Sequence, residues 1–228
     1  MLKMSIRFLF LSFLALFLLS SANVALGQKV VDKMVATVKS SARTDLITYS
    51  DIMWQIALEP NTPVENPASA DLNRALQTLI NLRLIAQEAE KLPMIAPTED
   101  EIRVKIDETI KYFPSASEFI RRLNIVGFTS LQDENFRLLM AQRVSIDKYL
   151  DFRFRSFVVV TPKEEEDYYR DVYVPRFRQQ HPNRILPTLE EARAEINATL
   201  TEDKIESNLN AFLDSARERA EIVILNPV

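Results

Sequence analysis

The sequence predicts a mainly α fold with one small β-sheet joining an N-terminal hairpin to a C-terminal strand. Three observations carry this. Helix-start patterns follow one another along the chain, each a hydroxyl residue with a carboxylate three positions on: Thr98 with Glu101, Ser115 with Glu118, Ser130 with Asp133, Thr161 with Glu164, and Thr188 with Glu191. β-rich segments stand only near the ends, at Val30–Tyr49 and Ala220–Leu225. Glycine is confined to Gly27 and Gly127, which disfavours all-β folds whose tight hairpins require it.

Taken in order, the first segment reads as an address. Lys3 and Arg7 make a short basic stretch, and Phe8–Leu19 is apolar apart from Ser12. That run suits a signal peptide and is too short to span a bilayer. Ala25 and Gly27 place small residues at −3 and −1, so residues 1–27 are expected to be a signal peptide cleaved before Gln28, with export to the periplasm. An uncleaved N-terminal anchor is the alternative. No later stretch is long and apolar enough for a membrane helix, so no stable membrane insertion is expected after cleavage.

Val35–Val38, then Ile47 and Tyr49, flank a polar turn at Ser40–Asp45 and suggest a hairpin. An isolated hairpin is marginal in water, and AEIVIL at Ala220–Leu225 can supply its third strand. Between these ends the 3.6-residue period predicts helices near 50–59, 69–92, 99–113, 116–126, 131–156, 162–174 and 189–218, the last with a break near Thr201. Ser50 is read as the cap of the first. The apolar face of 72–92 is Leu72, Leu76, Leu79, Ile80, Leu82, Leu84 and Ile85. That of 131–157 is Phe136, Leu139, Met140, Ile146, Tyr149 or Leu150, and Phe157. Pro60, Pro63 and Pro67 mark 59–70 as a loop, and Pro175, Pro182 and Pro187 mark 175–187 as another.

Composition removes several classes. The formal charge is −4, and losing the leader takes Lys3 and Arg7 with it. No basic excess remains for phosphate contacts, so nucleic acid is not an expected partner. Cysteine is absent, so no disulfide holds the fold. A single glycine after the leader cannot build a dinucleotide fingerprint, a P-loop or a G-x-S-x-G elbow.

The order and spacing of these elements resemble the SurA N-terminal chaperone domain family. The stretch VVDKMVATVKSSARTDLITYSDIMWQI, residues 30–56, is similar to the family's strand pair leading into a helix. LINLRLIAQEAEKL, Leu79–Leu92, is similar to its Leu-Ile-x-x-Arg-Leu-x-x-Gln-Glu-Ala helix, and VTPKEEEDYYRDVY, Val160–Tyr173, to its Val-Thr-x-Glu-Glu-x-x-x-Tyr-Tyr helix. Residues 188–225 resemble the returning helix and strand. The resemblance covers nearly all of residues 28–228, read as one domain. It departs where the family inserts a parvulin isomerase domain, here replaced by the loop 175–187. A parvulin site needs paired histidines, a Cys or Asp between them and a glycine-rich sheet. With one His, no Cys and Gly127, isomerase activity is not carried over.

The resemblance implies an ATP-independent periplasmic chaperone that holds unfolded outer-membrane or secreted polypeptides without a cofactor. A structural or adaptor subunit with one fixed partner is the alternative, and an enzyme is the reading the composition argues against. His181, in QQHPNR, reads as a solvated loop residue. Glu164–Asp167 reads as an acidic first helical turn that complements the helix dipole. The richest feature is an aromatic–arginine series. Phe152, Phe154, Tyr168, Tyr169, Tyr173 and Phe177 stand among Arg153, Arg155, Arg170, Arg176 and Arg178. Residues two apart do not share a helix face, so not all of these rings can enter one core. Two readings stand: they cover a helix crossing, or they form a surface for unfolded chains, with arginine stacking on rings.

Overall fold

The computed structural model describes residues 32–40, 43–92 and 96–228; the expected signal peptide, its expected cleavage site before Gln28 and the tip of the hairpin turn lie outside the described residues. Strands β1 (Met34–Lys39), β2 (Thr44–Thr48) and β3 (Glu221–Ile224) form an antiparallel sheet in the order β2-β1-β3, so the two ends of the described chain meet as expected. Alternation aims Val38 and Ala36 of β1, Ile47 of β2 and Ile222 of β3 at the core face. An irregularity between Met34 and Ala36 breaks the strict period, and Val35 is buried beside Ala36. β3 is the less buried edge: Ile222 packs on the core while Val223 and Ile224 are exposed.

Eight α-helices follow among the described residues: α1 (Tyr49–Ala57), α2 (Ser69–Ala89), α3 (Glu99–Ile110), α4 (Ala116–Ile125), α5 (Glu134–Leu150), α6 (Pro162–Tyr168), α7 (Val174–Gln180) and α8 (Leu189–Arg219). Capping boxes close at Thr98, Thr161 and Thr188 as the sequence predicts. Ser115 caps α4, but Glu118 turns to Arg121 instead of reaching back. Two caps differ from expectation. Thr48, not Ser50, caps α1, because β2 runs directly into the helix and Thr48 exchanges bonds with Asp51. Asp133, not Ser130, caps α5, because its carboxylate accepts from the backbone N–H groups of Asn135 and Phe136.

Three apolar clusters hold these elements. The first joins the sheet to α1, α2 and Ala216 of α8. The second is the crossing of α3, α4 and α5 around Phe119 and Phe136, both fully buried. The third joins α2 and the end of α5 to Ile205, Leu209 and Phe212 of α8. α8 is unbroken through Thr201, against the expected break. A β-branched residue costs only about 0.7 kcal/mol or less in a helix, and α8 is supported on both sides of it: by α6 and the Tyr169–Tyr173 turn towards its start, and by α2 and the end of α5 towards its end.

Of the expected loop 175–187, residues 175–180 are helical, in α7, and residues 181–187 form the loop. A wide π turn at Tyr169–Tyr173, with Val174 N–H donating five residues back to Tyr169, separates α6 from α7. The ladder restarts there, so Pro175 falls in the first turn of α7, where a missing N–H costs little. A second π turn, Asp151–Arg155, extends α5.

Two charged side chains are buried among the described residues, Glu165 and Arg122. Arg122 of α4 is 5% exposed, and its guanidinium donates to the carbonyls of Ala57 (3.1 Å), Ile56 (2.7 Å), Glu59 (2.7 Å) and Thr62 (2.8 Å). It also lies 5.7 Å from the centre of the Phe113 ring. The turn after α1 is thus organised by one fork of donors, a use suited to arginine's rigid geometry.

Candidate functional site

The aromatic series divides between two places. The first is the seam where α5 and its π turn cross the C-terminal half of α8. In an α-helix, residues five apart lie on different faces. The π turn, in which Ser156 N–H reaches back to Asp151, adds a residue to the turn. It thereby brings Phe154 under Tyr149, with ring centres 6.4 Å apart, and against Phe212 at 5.5 Å. Phe154 is therefore a core residue, 6% exposed. This corrects two expectations: Phe154 is not presented to solvent, and Phe157, assigned to the buried stripe, is 71% exposed. Phe152 is 40% exposed and meets Phe157 edge-on at 6.1 Å. Val159 beside them is also exposed.

A cleft of about 640 Å³ opens along this seam. Phe154, Phe212 and Val158 give it an apolar lining, with the exposed Phe157, Glu88, Arg153 and Arg219 also lining it. Phe154 also contributes to a second cleft, of about 360 Å³, lined by Leu150, Ile205 and Leu209 with Lys105, Asp147 and Arg155.

The linker from the seam to α6 is pinned to α8. Lys204 donates to Val159 O (2.7 Å) and pairs with Glu164 (2.7 Å), and Arg155 pairs with Glu202 (2.6 Å). The Lys204 ammonium, together with the Thr161 backbone N–H and hydroxyl, holds the Glu164 carboxyl down at about 2. In the acidic run, then, Glu164 closes the capping box, Glu165 is buried against Asn197 and Arg193, and Asp167 pairs with Lys163 and Arg170.

The second place is the arm formed by α6, its π turn and α7 against the first half of α8. Tyr169, Tyr173 and Phe177 succeed one another at four-residue steps and stack, with centres 5.7 and 5.9 Å apart. Tyr169 donates its hydroxyl to Pro187 O at 2.7 Å. Tyr168, Tyr173 and Phe177 line a cleft of about 410 Å³ with Arg176, Glu195 and Ile196. All four rings are half-buried. His181 is not a solvated loop residue: it ends α7, is half-buried, and packs 5.0 Å from Phe177.

The six candidate residues are thus not one surface. Phe152 belongs to an exposed margin and Phe154 to the core, while Tyr168, Tyr169, Tyr173 and Phe177 belong to the arm. Phe157, Phe212, Arg153 and Arg219 complete the seam and were not among the candidates. The local signal for Phe212 was its place in the helical stripe Ile205, Leu209, Phe212. Nothing local signals Arg219, which comes to the seam through the tertiary fold. No family model matches the chain, and no curated protein matches it significantly.

Proposed function

We propose that the protein is an ATP-independent holdase for unfolded polypeptides of the periplasm, outer-membrane and secreted proteins among them, acting without a cofactor and without isomerase chemistry. The observation that carries this reading is the solvent-exposed apolar margin of Phe152, Phe157 and Val159 beside the cleft over Phe154 and Phe212. Exposed apolar surface next to a concave apolar floor costs a protein solubility and is characteristic of a binding surface. Rings and branched side chains offer large contacts that need no sequence code. The resemblance to the SurA N-terminal domain family supports the same reading, and the export expected from the leader fits it.

The test is client breadth. The protein at modest excess is expected to suppress aggregation of several unrelated unfolded β-barrel proteins diluted from denaturant, with no nucleotide present. Suppression confined to one client would replace this reading with that of a dedicated adaptor. Suppression of none would remove it.

A further inference from the structure

The lining of the seam cleft is basic as well as apolar. Arg153 and Arg219 both line it, and both are exposed. Among the described residues neither forms an ion pair. Arg153 lies 5.7 Å from the centre of the Phe154 ring, and Arg219 donates to Ser215 within its own helix. The one carboxylate of the lining, Glu88, is already paired with Lys91 at 2.7 Å. Two cations without ion-pair partners among the described residues therefore line the same cleft as the apolar rings of Phe154 and Phe212, with Phe157 exposed beside them. Arg155, on the other side of the same turn, does have carboxylate partners in Asp151 and Glu202.

We propose that this cleft selects extended segments in which an aromatic side chain lies close to a carboxylate, whether an Asp or Glu side chain or a chain terminus. This deepens, and rests on, the holdase reading. The ring meets the apolar lining and the carboxylate meets Arg153 or Arg219. A cavity of about 640 Å³ falls within the roughly 300–1,000 Å³ of sites that enclose small ligands, so it takes one or two side chains and not a folded element. Charge-assisted bonds from guanidinium to carboxylate are about twice as strong as neutral ones. The chain as a whole is acidic, with a formal charge of −4. Its long-range field opposes anionic peptides, so a preference for them would have to come from these local cations.

The experiment is fluorescence anisotropy of the full chain with a series of short labelled unstructured peptides. Each holds one Phe at a fixed place, followed two residues on by Asp, Asn or Lys, with a Phe→Ser version of the Asp peptide. The Asp peptide is expected to bind about tenfold more tightly than the Lys peptide, an advantage of about 1.4 kcal/mol. That advantage should shrink as salt is raised. A second Asp series with a blocked and a free C-terminus separates a side-chain carboxylate from a terminal one. The double variant R153Q/R219Q, at unchanged melting temperature, should bind the Asp, Asn and Lys peptides alike. Equal binding of Asp and Lys peptides by the unmodified protein overturns the selectivity while leaving the holdase reading intact. So does a preference that persists in the double variant. Failure to bind any Phe-containing peptide overturns both.

Discussion

Replacing Arg122 with alanine is expected to destabilise the protein by about 3–5 kcal/mol, from buried carbonyl acceptors left unmade, at roughly 1–3 kcal/mol each, together with the lost packing of the side chain. Arg122 is buried on α4, yet donates to four carbonyls at the end of α1 and in the segment that follows it. Two of these already accept a backbone N–H: Ile56 O from Glu59 (3.0 Å) and Glu59 O from Thr62 (3.1 Å). The carbonyls of Ala57 and Thr62 have the most to lose, since a buried acceptor left unmade costs roughly 1–3 kcal/mol. Burial draws the Arg122 guanidinium's pKa below its ordinary value. Arg122→Lys should recover only part of the loss, because an ammonium cannot reproduce the fork. Urea unfolding measures both variants. A loss below about 1 kcal/mol in Arg122→Ala, the range of one ordinary hydrogen bond, would show that water replaces the guanidinium there.

A comparable loss, about 3–5 kcal/mol, is expected for Phe154→Ser, by the rule for large aromatic truncations in a core. Phe154 is held between Tyr149 and Phe212 and contributes to both neighbouring clefts, so its removal leaves a void that the π turn cannot easily close. Phe157→Ser, three residues on in the chain, should change the melting temperature little, because its ring is largely in water. Thermal melts of the two variants side by side measure this. Equal stabilities would mean that the π turn does not hold Phe154 in the core.

The contrast between these two rings also marks how far the sequence was legible. Helix order, three of the capping boxes and the meeting of the terminal strands follow from local chemistry: hydroxyls before carboxylates, β-rich residues at Val35–Val38, and a hairpin that needs a third strand. What was not legible depended on phase. A π turn leaves no compositional mark, so a 3.6-residue period carried past Leu150 put Phe157 inside and left Phe154 free, the reverse of what is found. The same change of phase let α7 begin at a proline that reads as a loop marker. Arg122 could have been noticed as a charge on the apolar face of Phe119 and Leu123, but its partners are carbonyls some sixty positions earlier in the chain, which no local pattern identifies. The six candidate aromatics are close in sequence, yet the linker Val158–Thr161 divides them between seam and arm.

The central claim is that the exposed margin of the seam holds unfolded chains. The most direct test is the double variant F152S/F157S in an aggregation assay with unfolded outer-membrane proteins, beside its own melting curve. The account predicts that melting is unchanged, since both rings are exposed, while the excess of protein needed to suppress aggregation rises several-fold, as expected when anchoring side chains are lost from a binding surface. A stable double variant that holds every client as well as the unmodified protein would contradict it.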